Sequence, residues 1–162
     1  MHPLLILQLM ILLTLANGTP VVAKKIFRRR FAWPLDAGIK FPDGRPLLGG
    51  SKTVRGIVLS VLVTAACASL TGLNAKIGII VAATAMAGDL LSSFVKRRLD
   101  LPPSTRATGL DQIPESLFPL LACRGALSLS AADIAAGVAI FFIGEVILSR
   151  LLYRLRLRDR PY

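Results

Sequence analysis

The stretch IGIIVAATAMAGDLLSSFVKRR, residues 77–98, is apolar or small from Ile77 to Val95 except for Asp89 and a few hydroxyl groups, and it closes on three consecutive cations. As a helix, 77–95 is long enough to cross a hydrocarbon core of about 30 Å. Its apolar residues form a continuous block rather than the interrupted stripe of a surface helix, which points to membrane rather than water around it. Lys96, Arg97 and Arg98 fit the edge of such a span, where cations reach the headgroups.

Outward from this segment, residues 3–23, 56–72 and 131–153 are similar apolar blocks. A fifth segment, 110–127, carries Asp111, Glu115, Arg124 and two prolines and reads as a helix lining a polar cavity. The chain has 162 residues, 54% of them hydrophobic, with 20 Lys+Arg against 9 Asp+Glu. In a soluble domain that excess would suggest nucleic acid. Here only 6% of residues are aromatic, and the cations follow the membrane charge rule, which argues against a nucleic-acid binder.

Nine Lys and Arg fall in residues 24–55, four in 96–109 and five from Arg150 onward, against Lys76 and Arg124 on the other side. This alternation predicts an all-α, polytopic single domain over 1–162 with about five transmembrane helices, cytoplasmic loops at 24–55 and 96–109, the N-terminus outside and the C-terminus cytoplasmic. The multi-pass chain is expected in the cell (inner or plasma) membrane. Cations follow the first apolar run instead of preceding it, so that run is expected to be a retained helix rather than a cleaved signal. The cluster Lys24–Arg30 is suited to gathering anionic headgroups. Ala82, Ala83 and Ala87 permit close helix packing, including packing in a homo-oligomer.

Cys67 and Cys123 lie within expected spans without metal-ligand spacing, and His2 is the sole histidine, which excludes a histidine-based triad. Asp89, Asp111, Glu115 and Glu145 also fall within expected spans. Ionised carboxylates there are costly, and each is either paired with a cation or functional. Pairing with a nearby cation such as Arg150 is the expectation for Glu145. Ser92, Ser93, Lys96 and Arg97 follow Asp89 at i+3, i+4, i+7 and i+8 and share its helix face. Asp111 and Glu115, four apart, project to one side. Asp111 also suits an N-cap, with Pro114 in the first turn, and Pro119 is expected to kink the helix or free a carbonyl.

Residues 43–56, DGRPLLGGSKTVRG, lack the nucleotide-triphosphatase pattern because Ser51 separates Gly50 from Lys52. A glycine pair followed by Ser51, Lys52, Thr53 and Arg55 at a helix start still offers amides and cations to an anion. A plain glycine-rich turn would account for the same residues. Meeting at one membrane surface, carboxylates for a divalent metal, cations for phosphates and apolar walls for a lipid would suit phosphoryl or nucleotidyl transfer without a covalent nucleophile.

DGRPLLGGSKTVRG, AGDLLSSFVKRRL (87–99) and GLDQ (109–112) together resemble the CDP-archaeol synthases, membrane cytidylyltransferases related to CDP-diglyceride synthetases, over about residues 17–115. Ser93, Lys96 and Arg97 match the start of the CDP-diglyceride synthetase signature, whose later parts are missing. Asp111 and Gln112 match the archaeal aspartate-glutamine-x-aspartate pattern, but Pro114 stands at the second aspartate and Glu115 follows it. The resemblance implies a five-helix membrane fold with a cytoplasm-facing site, which transfers the cytidylyl group of CTP to a membrane lipid phosphate with Mg2+.

On that reading Asp89, Lys96 and Asp111 are catalytic, and Asp89, Asp111 and Glu115 hold the metal. Lys52, Arg55 and Arg97 bind the triphosphate, Thr53 and Ser93 donate to phosphate oxygens, and Asn17 lines the access of the lipid. A non-catalytic polytopic protein, such as a small transporter or accessory subunit, shares the spans and buried carboxylates. A degenerate family member that binds CTP or CDP-lipid without turnover shares the motifs as well.

Overall fold

The structure, a computed structural model, describes residues 2–102, 105 and 107–154. Arg106 and the tail cations Arg156, Arg158 and Arg160 lie outside these. Among the described residues the chain is all-helical: α1 Pro3–Phe27, α2 Val54–Leu70, α3 Ala75–Arg98, α4 Gln112–Ala122, α5 Arg124–Leu127 and α6 Ala131–Arg154. In place of strands there are isolated bridges between Pro34 and Thr53 and between Lys40 and Pro46.

The starts of α1, α2, α3 and α6 use local devices suited to their first amides. Pro3 opens α1, where a missing N–H goes unnoticed. Thr53 Oγ1 accepts from Gly56 N at 3.2 Å to start α2, and Asn74 Oδ1 accepts from Lys76 N at 2.8 Å to start α3. At α6, Ser130 N donates to Asp133 Oδ2 at 3.0 Å while Asp133 N donates back to Ser130 Oγ at 3.1 Å, a reciprocal cap. Asp111 departs from the cap expected of it: its side chain makes no cap bond to α4 and instead accepts from Ala107 N, behind it in the chain, at 3.0 Å.

α1, α3 and the Ala131–Arg150 part of α6 are long and apolar enough to cross a membrane, and α2 is a shorter apolar helix. The protein is therefore built as a multi-pass membrane protein. The segment expected to span over 110–127 divides at Cys123 into α4 and the single turn α5. α4 continues through Pro119, whose missing N–H leaves the Glu115 carbonyl without its intrahelical partner.

The core joins Leu9, Leu12, Leu13 and Ala16 of α1 to Ala68 of α2, Val81, Ala82 and Ala85 of α3, Leu120 of α4 and Phe141 of α6. Small residues set the close crossings, as in membrane bundles generally. A Cβ on Gly78 would fall 2.7 Å from Ala65 Cα and Thr64 O, so α3 lies backbone to backbone on α2. Ser60 Oγ donates to the Ala16 carbonyl at 2.7 Å and ties α2 to α1.

Between α1 and α2 the chain makes an excursion, residues 28–53, whose two legs are paired. Leu35 N donates to Lys52 O at 2.8 Å, and Val54 N donates to Trp33 O at 3.1 Å. The tip is fastened to the end of α3. Arg98 donates to Asp43 Oδ1 at 2.7 Å and Pro46 O at 2.6 Å, its guanidinium lies 4.5 Å from the Phe41 ring centroid and 5.0 Å from that of Phe94, and Arg45 donates to the Arg98 carbonyl.

Candidate active site

Asp89 sits near the C-terminal end of α3, directly after Gly88. A Cβ on Gly88 would fall 2.8 Å from Glu115 N and closer still to the Pro114 carbonyl. Only a glycine lets α3 and α4 touch here, and the contact brings the Glu115 carboxylate within hydrogen-bonding reach of Asp89. The excursion delivers Lys52 to the same place: its Nζ donates to Asp89 Oδ1 at 2.6 Å and Oδ2 at 2.5 Å. Glu145 of α6 approaches from the far side, close enough to act electrostatically on Glu115. Glu145, expected to pair with a neighbouring cation, thus also has a place near the site. It continues the inward stripe Ile134, Gly137, Phe141 at i+3 and i+4 steps.

A second cluster lies two turns further along α3. Lys96 Nζ is 2.7 Å from Asp111 Oδ1 and donates to Thr105 O at 3.0 Å. Arg97, 4% exposed, gives Nη2 to Pro102 O at 3.0 Å, while its Nε and Nη1 have no partner among the described residues. Ser93 is buried on the same face. Ser92 Oγ donates to Gly88 O at 2.9 Å and to Leu110 O at 2.7 Å, which binds the chain entering α4 to α3.

The carboxylates expected to share a metal are thus arranged differently. Asp89 and Glu115 lie together, while Asp111 is turned to Lys96 and the Ala107 amide. Among the described residues no three His, Cys, Asp or Glu side chains are gathered to hold an ion by themselves. Thr53 and Arg55, expected at the phosphates, and Asn17, expected at the lipid access, make other contacts. Thr53 is the α2 cap. Arg55 lies over the Phe27 ring at 5.6 Å and donates to the Arg28 and Arg30 carbonyls at the end of α1. Asn17 stands within α1, its amide donating to Leu13 O at 3.1 Å and its Oδ1 buried without a partner among the described residues.

Beside these clusters an apolar groove of about 830 Å³ runs between α4 and α6. Ile113, Leu117 and Leu121 form one wall, and Ile134, Val138 and Phe142 belong to the other. Ile113 lies in the first turns of α4 with Glu115, so one end of the groove is level with the site, but two residues are about 200° of helix and the groove runs along a different face of α4.

The CarS-like CDP-archaeol synthase family matches residues 74–162. The CDP-archaeol synthase of Pyrobaculum calidifontis is 34% identical over 155 residues, covering 91% of this chain and 90% of that protein. That of Hyperthermus butylicus is 37% identical over 158 residues, covering 91% and 89%. The chain belongs to the CDP-archaeol synthase family. A solved structure described as an intramembrane enzyme for archaeal membrane lipids biosynthesis superposes with a TM-score of 0.75 at 32% identity, covering 87% of this chain and 90% of that one.

In this CDP-archaeol synthase family member the departure at Pro114 acquires a structural sense. Pro114 packs its backbone on Gly88, and the following residue, Glu115, supplies the carboxylate facing Asp89. The donor set suits magnesium, which takes one or two protein carboxylates and completes its shell with substrate phosphate oxygens and water.

Asp36, which the motifs did not signal, braces the loop that leads to Lys52. It is 6% exposed; Oδ1 accepts from Gly38 N at 3.1 Å, and Oδ2 accepts from Leu48 N at 2.9 Å and Gly49 N at 3.1 Å. Burial pushes its carboxyl upward, but these amides outweigh burial and hold it below the ordinary carboxylate range. The knot shapes the turn at 47–50, from which Lys52 projects.

Proposed function

We propose that the Lys52–Asp89–Glu115 cluster transfers the cytidylyl group of CTP to the phosphate of an isoprenoid ether lipid, releasing pyrophosphate. The chain is a CTP-dependent cytidylyltransferase of membrane lipid biosynthesis, as its family membership entails. The observation that carries the finer reading is the meeting of Asp89, Glu115 and Lys52 where α3 and α4 touch. The apolar α4–α6 groove, one end of which is level with the cluster, suits the acceptor's apolar chain.

Asp89 and Glu115 would hold Mg2+, which supplies charge neutralisation at the reacting phosphates. Lys52 and Lys96 stand where triphosphate oxygens would replace their present carboxylate partners, and Arg97 has two buried donors without a partner among the described residues that suit the same use. Such fixed cations stabilise charge developing on a leaving pyrophosphate without reorganising. Asp111 positions Lys96. Both clusters lie at the helix ends that carry most of the cations, so the site faces the cytoplasm, the N-terminus lies outside and the chain crosses the cell membrane five times.

The test is pyrophosphate release from CTP by purified protein in detergent with Mg2+, comparing an isoprenoid ether-lipid phosphate, phosphatidic acid and no lipid. Ether-lipid-dependent turnover that is lost in Asp89→Asn is expected. Turnover with phosphatidic acid alone would overturn the acceptor, and no turnover with either lipid would overturn the catalytic reading.

A further inference from the structure

The cytoplasmic end of α1 carries a feature that the transfer reaction does not use. Lys24 and Lys25 close the helix, and Arg28, Arg29, Arg30, Phe31 and Trp33 follow, all exposed. Phe31 is 63% and Trp33 70% exposed, and their rings meet edge to face at 6.5 Å. Among the described residues no carboxylate pairs with the three arginines. In water such a surface would combine strong self-repulsion with two bare aromatic rings.

The backbone holds this turn in place. Arg28 and Phe31 have φ of 48° and 54°, in the region that side chains disfavour. Arg55 fixes the turn from within by taking the Arg28 and Arg30 carbonyls as acceptors. With its carbonyls turned inward to Arg55, the turn presents its arginine side chains outward. The segment begins where a helix able to cross the membrane ends, which is the level of the headgroups. Tryptophan settles there with its ring at the interface, and cations there attract anionic lipid.

We infer that Arg28–Trp33 is a docking surface for anionic lipid headgroups of the cytoplasmic leaflet. It adjoins the site through the backbone: Trp33 O accepts from Val54 N and Leu35 N donates to Lys52 O, so the same pair of legs carries the docking residues and the catalytic lysine. Headgroups gathered here lie at the edge of the charged cluster, and an anionic acceptor would be enriched in front of it. This last step rests on the proposed transfer reaction; the docking itself does not.

Trp33 is the sole tryptophan, so its fluorescence reads the surface directly. The full chain would be reconstituted in phosphatidylcholine vesicles that contain equal fractions of chain-brominated phosphatidylglycerol or chain-brominated phosphatidylcholine. We expect the anionic quencher to act roughly twofold or more as strongly as the zwitterionic one, and about 0.5 M NaCl to remove the excess by screening. Equal quenching by the two lipids, no quenching by either, or an excess indifferent to salt would each overturn the docking surface. In a second arm, Arg28→Gln, Arg29→Gln, Arg30→Gln combined should raise several-fold the acceptor fraction at half-maximal rate, with kcat and the KM for CTP unchanged. An unchanged acceptor dependence would overturn the enrichment. Quenching needs no turnover, so an inactive protein would refute the transfer reaction and leave the docking result standing.

Discussion

Lys52 and Asp89 are each about four-fifths buried, at 20% side-chain exposure, and at that depth the loss of one partner matters more than the pair's net worth. Lys52→Met would leave Asp89 and Glu115 facing each other without a cation. It should cost roughly 2 kcal/mol of stability, less than for a fully buried pair because water still reaches both groups. Thermal unfolding in detergent would show the destabilisation, and pyrophosphate release should fall by about two orders of magnitude or more. The separation of the two clusters predicts a graded result elsewhere. Asp111→Asn leaves Lys96 its Thr105 carbonyl and should lower turnover less than Asp89→Asn; equal losses would mean that both aspartates serve one ion. At Asp36 the sign follows from its depressed pKa. The carboxylate's contribution is complete above the unfolded value near 3.8 and is lost as pH falls through the lower folded value. Protection of the Leu48 and Gly49 amides from exchange should therefore hold to about pH 4, whereas Asp36→Ala should abolish it at neutral pH. Asp89 and Lys52 were legible as candidate site residues because a carboxylate in an apolar run and a lysine after paired glycines have few cheap explanations. Asp36 was not, since a side chain that gathers amides 12 and 13 positions ahead leaves no periodic trace. Thr53 is ambiguous for a physical reason: the residues that cap a helix are also those that bind phosphate at one.

At the scale of elements, the contact between α3 and α4 controls whether Asp89 and Glu115 meet. Gly88→Ala places a methyl group against the Pro114 carbonyl and 2.8 Å from Glu115 N, neither of which can turn aside. Overpacking of this kind typically costs about 1–3 kcal/mol, and the helices must separate where the carboxylates join. The variant should lower both the unfolding temperature and the affinity for Mn2+, used as a paramagnetic stand-in for Mg2+. Gly137→Ala provides the contrast, because its nearest neighbour is Leu120 Cδ1 at 2.9 Å, the far end of a flexible side chain. Its effect should be small on both readings, and a Gly88 variant no worse than the Gly137 variant would show that the α3–α4 approach is not critical. Hydropathy alone outlined α1, α2, α3 and α6, since continuous apolar blocks mark helices in lipid. It could not show that the block at 110–127 breaks at Cys123, because no proline or glycine marks that position. The inward stripe that carries Glu145 was present in the spacing of Ile134, Gly137 and Phe141 but had no meaning until α6 had a partner.

Across the whole molecule, contacts sort the helix ends into two groups. His2 N donates to Asp133 Oδ1 at 2.9 Å and Gln8 Nε2 to Thr71 O at 2.6 Å, which places the starts of α1 and α6 with the end of α2. The end of α1, the start of α2 and the end of α3 meet at the excursion and its arginine fastenings. The chain leaves this second end beside Lys96 and returns to the first by Asp133. Residues 112–130 therefore connect the two ends although α4 and α5 together reach only about 24 Å at 1.5 Å per residue. The proposed orientation follows the cations: Lys76 stands at the first end, while Lys24, Lys25, Arg28–Arg30 and Lys96–Arg98 crowd the second, and such clusters resist translocation. A variant lacking both cysteines, Cys67→Ala with Cys123→Ala, can report this with one new cysteine at a time. On intact cells an impermeant maleimide should label Lys76→Cys directly and Lys40→Cys only after permeabilisation. The reverse pattern would turn the site outward, away from CTP, and labelling of both without permeabilisation would mean that the chain makes an even number of crossings between these two loops.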